Sequence, residues 1–161
     1  MTFFTNFLDI IKVTCLLFIQ KWFNFSDRAN RREYISLMIL IHVLSYLLFS
    51  LSEGLVSDPI SLIIAMLVLA FLVFIPDISV TVRRLHDFGA SGWWYLVLIT
   101  LHFIWFFLLN DTKIFLENTE LISNLWLVIT NAPFAIIKGT PEPNRFGNEP
   151  EYAQYTFKMP L

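Results

Sequence analysis

The chain has 161 residues, of which 57% are hydrophobic and 15% are charged, and its mean hydropathy is +0.65. Soluble domains average about 45–50% apolar and about 25% charged residues, so this composition excludes an ordinary soluble domain and predicts a helical membrane protein. The net charge of -2 indicates no partner class, and the single cysteine, Cys15, excludes an intramolecular disulfide or a cysteine-based metal cluster.

Residues 1–25 are apolar, with helical spacing, but charged residues interrupt them at Asp9, Lys12 and Lys21. The uncharged run at 13–19 is shorter than the ~20 residues that a membrane span needs. We therefore predict an amphipathic helix lying in the membrane interface, with Trp22 as an anchor at headgroup depth. A fifth, non-standard span is the alternative.

Four apolar stretches follow, and they predict a bundle of four transmembrane helices over residues 26–137. The predicted spans are 34–51, 60–82, 93–109 and 121–137. Ser26 or Asp27 is expected to cap the helix that enters the first span. Residues 138–161 are rich in proline and polar residues and form a short tail.

The basic residues predict the sidedness of this bundle. With four spans, both termini lie on one side, which then carries ten of the eleven lysines and arginines and leaves only Lys113 opposite. Basic residues in short loops stay in the cytoplasm. Both termini, and the tail, are therefore predicted to be cytoplasmic.

A polar stretch at residues 83–94 separates the second and third spans. If the helix continues past residue 82, Arg83 and Asp87 stand four residues apart on one face, and Arg84 can reach back to Asp77. Arginines near the interface can extend their charged groups out of the hydrocarbon at low cost. We therefore expect this pair of arginines to set the depth of the second helix.

The rest of this stretch has the composition of a tight turn back into the membrane. Gly89 and Gly92 allow the backbone to turn, including through positive φ. Trp93 and Trp94 then predict an interfacial anchor at the start of the third span.

Three motifs together resemble a known family. They are Phe25-Ser26-Asp27-Arg28-Ala29-Asn30-Arg31-Arg32-Glu33-Tyr34, then Arg83-Arg84-Leu85-His86-Asp87 with Ser91-Gly92-Trp93-Trp94, then Asn144-Arg145-Phe146-Gly147 before Pro150. In this order they are similar to the family called domain of unknown function 805, over roughly residues 20–150. The resemblance implies a four-span bacterial inner-membrane protein and implies no chemistry.

The predicted topology brings the polar residues of these motifs to one membrane face. The candidate anion- or partner-binding cluster consists of Arg28, Arg31, Arg32, Glu33, Arg83, Arg84, His86, Asp87, Asn144 and Arg145. One interpretation is structural, with Glu33 close to Arg28, Arg31 and Arg32 and the carboxylates neutralising the arginines. The other is a binding site for a lipid phosphate or an acidic partner segment, since basic pockets between helices bind headgroups.

Three ionisable residues fall inside predicted spans, namely His42, Asp77 and His102. Such residues are functional candidates, and they allow a small transporter or channel subunit as an alternative. Interhelical hydrogen bonds for the histidines, and an arginine partner for Asp77, are the simpler interpretation. Two histidines with no nearby acid make a poor metal site, so no metal is expected.

The preferred functional hypothesis is a non-enzymatic inner-membrane protein whose basic cytoplasmic face binds a partner protein or anionic lipid. The rival is the transporter or channel subunit. A third hypothesis is an enzyme acting on a lipid phosphate, with His86 as the acid or base. A homo-oligomer is a further possible partner arrangement, and neither a cofactor nor nucleic acid is expected.

Overall fold

The computed structural model describes residues 2–55, 58–109, 118–148 and 150. The helices in this part of the chain are α1 (Thr2–Gln20), α2 (Arg31–Leu55), α3 (Pro59–Asp87), α4 (Trp94–Leu109) and α5 (Thr119–Ile136). The all-helical class is confirmed. Lys113 and most of the tail beyond residue 148 lie outside the described residues.

The four predicted spans fall on α2, α3, α4 and α5. Arg31–Leu51 and Pro59–Asp87 are long and apolar enough to cross a membrane, whereas Trp94–Trp105 and Leu125–Ile136 are shorter apolar segments. At about 1.5 Å per residue, α3 is about 43 Å long, which exceeds the ~30 Å hydrocarbon core of a bilayer.

Helix α2 is the centre of the packing, because it contacts α1, α3 and α5, while α3 also contacts α4 and α5. Its buried face consists of Tyr34, Leu37, Met38 and Ile41, which recur at the spacing of one helical face. The other buried apolar residues near this face are Leu17, Ala29, Val80, Leu85 and Phe134. This small core lies towards the end of the bundle where α2 begins.

The start of α2 differs from the expected capping. Asn30 precedes the helix, and its Oδ1 accepts a hydrogen bond from the Glu33 backbone N–H at 2.9 Å. The prediction of Ser26 or Asp27 as the cap was therefore wrong. Asp27 instead accepts from Asn24 Nδ2 at 2.6 Å and lies 3.4 Å from Lys21 Nζ.

Helix α3 continues past the predicted span at 60–82 and through the polar stretch to Asp87. Gly89 then turns the chain with φ at +73°, which confirms the predicted positive φ there. Gly92 has a different role, since a Cβ at this position would lie 2.8 Å from Val82 Cγ1. The turn therefore packs closely against the helix it has just left.

The segment after α1 is tied to α3. Ser79 is fully buried, and its Oγ lies 2.8 Å from the Lys21 carbonyl oxygen and 2.7 Å from that of Asn24. The half-buried Trp22 packs against Phe18 and Phe71, with ring centroids 4.9 and 6.3 Å away. The predicted helix at 1–25 is thus shorter, ending at Gln20, and the residues after it pack onto the bundle.

Candidate functional site

One end of the bundle contains most of its buried charge. We call it the arginine-rich end, meaning the end at which α2 begins and α3 and α5 finish. Arg28, Glu33, Arg83, Arg84 and Asp87 are each 3% exposed or less. Charged side chains are rarely buried to this extent unless they are paired, so their partners define the site.

Asp87 is shared by two arginines. Its Oδ1 accepts hydrogen bonds from Arg28 Nε at 3.1 Å and Nη2 at 2.9 Å, and its Oδ2 accepts one from Arg84 Nη1. Hydrogen bonds between ionised groups are stronger than neutral ones. The carboxylate therefore joins the segment before α2 to the last turn of α3.

Arg28 also holds the segment that follows α5. Its Nη1 donates to the Glu142 carbonyl at 2.9 Å and the Gly147 carbonyl at 3.3 Å, and its Nη2 donates to the Thr140 carbonyl. Thr140 in turn donates from its backbone N–H and its hydroxyl to the Asp87 carbonyl, at 2.9 and 3.0 Å. Residues 138–148 are thereby fixed against the end of α3.

Arg84 closes the end of α5. Its Nε donates to the Phe134 carbonyl at 2.9 Å, its Nη2 to that of Ile137 at 2.6 Å, and its Nη1 to that of Ala29 at 3.2 Å. The last carbonyls of a helix lack intrahelical partners and carry the negative end of its dipole. A buried guanidinium therefore satisfies both the charge and the hydrogen bonding of this helix end.

A second buried ion pair joins Arg83 of α3 to Glu33 of α2. Arg83 and Asp87 do not pair, so the expected pairing at four-residue spacing was wrong. Glu33 likewise pairs with Arg83 and not with the arginines adjacent to it in sequence. Arg83 Nε is buried without a hydrogen-bond partner within the described ranges.

His86 is nearly buried and stacks on Phe146, with ring centroids 3.8 Å apart and planes 4° apart. Its Nδ1 lies 3.1 Å from the Asp27 carbonyl oxygen. Within the part of the chain that the structure describes, this contact is to a main-chain carbonyl and not to a carboxylate. The geometry therefore does not support the acid–base pair that an enzymatic role for His86 needs.

The third sequence motif meets the second one directly. Asn144 Nδ2 donates to the His86 carbonyl at 2.9 Å, and Arg145 Nη2 donates to the Gly89 carbonyl at 3.1 Å. Both bonds attach the segment after α5 to the turn that follows α3. The structure therefore brings the first, second and third motifs to the same end of the bundle.

Gly139 lies directly against the Asp87 carboxylate, where residues 138–148 pack on the end of α3. A Cβ at this position would overlap the Asp87 carboxylate. The absence of a side chain is therefore a steric requirement of the shared carboxylate.

A cavity of about 410 Å³ lies beside this network, and we call it the basic cavity. Its lining includes Asn30, Arg31, Arg32, Lys138, and the Arg84–Asp87 pair. Arg31, Arg32 and Lys138 are exposed, and Arg31 Nη1 donates to the Ile136 carbonyl at 3.3 Å. Arg32 and Lys138 form no ion pair among the residues described.

The three polar residues inside predicted spans have separate partners. His42 Nδ1 lies 2.7 Å from the Met38 carbonyl oxygen in its own helix, and Asp77 accepts from Tyr95 Oη at 3.1 Å. His102 Nδ1 accepts from Trp126 Nε1 at 2.6 Å. The expected Asp77–Arg84 pair was wrong, because Arg84 points to the end of α5. The predicted interhelical bond exists for His102, whereas His42 bonds within α2.

The predicted anchor residues differ in their environments. Trp93 and Trp94 are exposed, as an interfacial anchor requires, whereas Trp22 is half-buried against neighbouring aromatic rings. Lys138, Gly139 and Thr140 were not predicted as site residues. The available signal was a glycine just after the last apolar span, which is common where a helix ends.

One comparison with known proteins identifies the family of this chain. The family model described as "Protein of unknown function (DUF805)" matches residues 22–148, most of the 161-residue chain. The chain belongs to the DUF805 family. No curated protein and no solved structure matches it. The DUF805 match includes the whole charged network, from Arg28 to Gly147, and leaves α1 outside.

Replacing the shared carboxylate should destabilise the protein far more than replacing an exposed one. Asp87→Asn leaves Arg28 and Arg84 buried without their counter-charge, which typically costs about 3–5 kcal/mol. Asp27→Asn, the matched control, weakens a partly exposed pair with Lys21 and should cost about 0–1 kcal/mol. The difference in stability is measured by unfolding both variants in mild detergent and monitoring the transition by tryptophan fluorescence. Equal midpoints would contradict the proposed weight of the Asp87 network.

Gly139→Ala should destabilise the arginine-rich end because its methyl group overlaps the Asp87 carboxylate. The same change in an Asp87→Ala background should cost less, since the space has then been vacated. Residues in direct contact typically show such non-additivity, of about 0.5–3 kcal/mol. The unfolding midpoints of the two single variants and the double variant give the coupling. Strictly additive costs would mean that Gly139 does not abut the carboxylate.

Proposed function

We propose that this protein is a non-enzymatic binding protein of the bacterial inner membrane. In this proposal α2 to α5 cross the membrane, both termini and the arginine-rich end are cytoplasmic, and the basic cavity binds an anionic group. The bacterial membrane is what the family resemblance implies. The observation that supports binding is that some arginines at this end are buried in ion pairs, whereas other cations at the same end are exposed around the cavity.

The distribution of apolar surface supports a membrane environment. The most apolar 18-residue stretch of α3 is only 6% buried, whereas the core helix of a soluble protein would be mostly buried. Ile60 and Leu67 of α3 are 72% and 66% exposed, while Arg83 and Arg84 near its end are almost fully buried. Soluble monomers rarely expose apolar patches of this extent.

The roles of the cations support binding at the cavity rather than in the network. Arg28 and Arg84 already bond to Asp87 and to main-chain carbonyls, and Arg83 is buried in its pair with Glu33, so a ligand has little access to these arginines. Arg31, Arg32 and Lys138 are exposed around the basic cavity. An anion can be bound there without dismantling the fold.

The partners of His42, Asp77 and His102 favour this proposal over a transporter or channel. Asp77 bonds between α3 and α4, whereas His102 bonds between α4 and α5. A polar path would need such residues to share one interior space. The bonds of Asp77 and His102 are those of residues that hold neighbouring helices together, while His42 bonds within α2.

Sidedness can be tested with single cysteines in a Cys15→Ala background. Lys138→Cys should react with a membrane-impermeant maleimide in inverted inner-membrane vesicles and not in intact spheroplasts, because ten of eleven basic residues are predicted inside. Lys113→Cys is the matched control and should show the opposite labelling. Labelling of the Lys138→Cys variant in spheroplasts would overturn the cytoplasmic placement of the cavity.

Binding can be tested by purifying the full chain in mild detergent and identifying the lipids and proteins that accompany it by mass spectrometry. Arg32→Gln/Lys138→Gln should lose an anionic companion that the wild type retains. Lys12→Gln/Lys21→Gln is the charge-matched control, since both residues lie outside the candidate cluster and outside the cavity lining. Identical companions in the cavity variant and the control would overturn the binding function.

A further inference from the structure

We infer that the basic cavity holds the phosphate group of an anionic glycerophospholipid from the leaflet at the arginine-rich end. This inference rests on the proposed function and specifies its ligand. The cavity, its free cations and the apolar surface next to it each contribute to the identification.

The cations around the cavity suit a phosphate. Arg31, Arg32 and Lys138 are exposed there, and an arginine can bind two phosphate oxygens at once through its planar guanidinium. Basic pockets of this kind between membrane helices bind lipid headgroups. Thr140 is less available, because its hydroxyl already donates to the Asp87 carbonyl.

Among the residues described, Asp87 is the carboxylate that lines the cavity, and its charge is already compensated. Both oxygens of Asp87 are occupied by Arg28 and Arg84, which offset its charge. Asp87 therefore does not offset the charges of Arg31, Arg32 and Lys138. The arginine network thus prepares the site without binding the ligand itself.

The start of α2 adds a second attraction. Arg31 and Arg32 stand in the first turn of this 25-residue helix, where the dipole is positive and early backbone N–H groups lack intrahelical acceptors. Asn30 Oδ1 accepts the N–H of Glu33, and Asn30, Arg31 and Arg32 at this helix start all line the cavity. Helix starts of this kind bind phosphates in many proteins.

The apolar surface beside the cavity favours a lipid over a soluble anion. Ile35 and Ile39 follow Arg31 at intervals of four residues along α2 and are 39% and 60% exposed. Ile136, whose carbonyl accepts from Arg31, is 70% exposed at the end of α5. A phospholipid can place its phosphate on the cations and its acyl chains on the apolar surface beside them. A free phosphate or an acidic peptide would use the cations alone.

The test is native mass spectrometry of the purified full chain titrated with phosphatidylglycerol or phosphatidylcholine. The wild type and the Lys12→Gln/Lys21→Gln control should retain phosphatidylglycerol in preference to the zwitterionic lipid. Arg32→Gln/Lys138→Gln should bind phosphatidylglycerol about tenfold more weakly or worse, given the strength of charged hydrogen bonds. Equal retention by the cavity variant and the control would overturn the inference.

Two further arms separate the possible sources and failures. Inorganic phosphate or glycerol 3-phosphate that displaces the lipid at matching concentration would overturn the lipid assignment in favour of a soluble phosphate. Loss of an acidic protein companion from the cavity variant, with unchanged lipid binding, would overturn the inference and leave the proposed function standing. If the cavity variant retains every lipid and protein companion of the wild type, both the inference and the proposed function are overturned.

A folding control keeps these outcomes interpretable. The unfolding midpoint of each variant should match the wild type, because Arg32 and Lys138 are exposed. If the double variant fails to fold, Lys138→Gln alone replaces it, since Lys138 lies beyond the end of α5. A weaker preference for phosphatidylglycerol in that single variant supports the inference, and an unchanged preference overturns it.

Discussion

The Asp87 carboxylate, held between Arg28 and Arg84, is the interaction on which the arginine-rich end depends. Asp87 joins three parts of the chain, because its carboxylate binds the segment before α2 and the last turn of α3, and its main-chain carbonyl accepts from Thr140 after α5. Burying an ion pair gains little net free energy, because desolvation offsets most of the attraction. Its effect is to specify geometry, since each guanidinium can satisfy its remaining donors only with particular carbonyls, such as those of Phe134 and Glu142. Steric fit supports the same arrangement at Gly139, where a side chain would displace the carboxylate.

This network divides the cations into two kinds. Buried arginines form ion pairs within the protein, whereas the exposed cations Arg31, Arg32 and Lys138 surround a cavity beside them. A count of basic residues in the sequence does not distinguish buried cations from exposed ones. A cluster of basic residues therefore does not by itself identify a binding site. Here the committed arginines hold the start of α2 and the end of α5 together, and those two ends provide the free cations. The structural and binding interpretations of the cluster are therefore complementary, with different residues serving each.

Sequence patterns predicted the helices better than their connections. Long apolar runs located α2 to α5, and the order of the three motifs identified the family and the residues that meet at one end. The partners of those residues were harder to predict. Arg83 and Asp87 have suitable helical spacing, but the rotation of α3 in the core directs Arg83 to Glu33 and Asp87 to Arg28, which is 59 residues away. Helix spacing fixes which residues share a face, and only packing around Val80 and Leu85 decides what that face meets. Main-chain acceptors, such as the Ile137 carbonyl, carry no sequence signal at all.

The length of α3 links the network to the depth of the proposed lipid site. If its apolar part fills the ~30 Å hydrocarbon core, the remainder of a helix of about 43 Å must extend into the interface. The apolar run that begins at Pro59 places this extension at its final turns, which contain Arg83, Arg84 and Asp87. Arg31 lies three residues before the predicted first span at 34–51, or about 5 Å along α2. In the proposed membrane placement, the basic cavity and its exposed cations lie level with lipid phosphates, next to the buried Asp87 network.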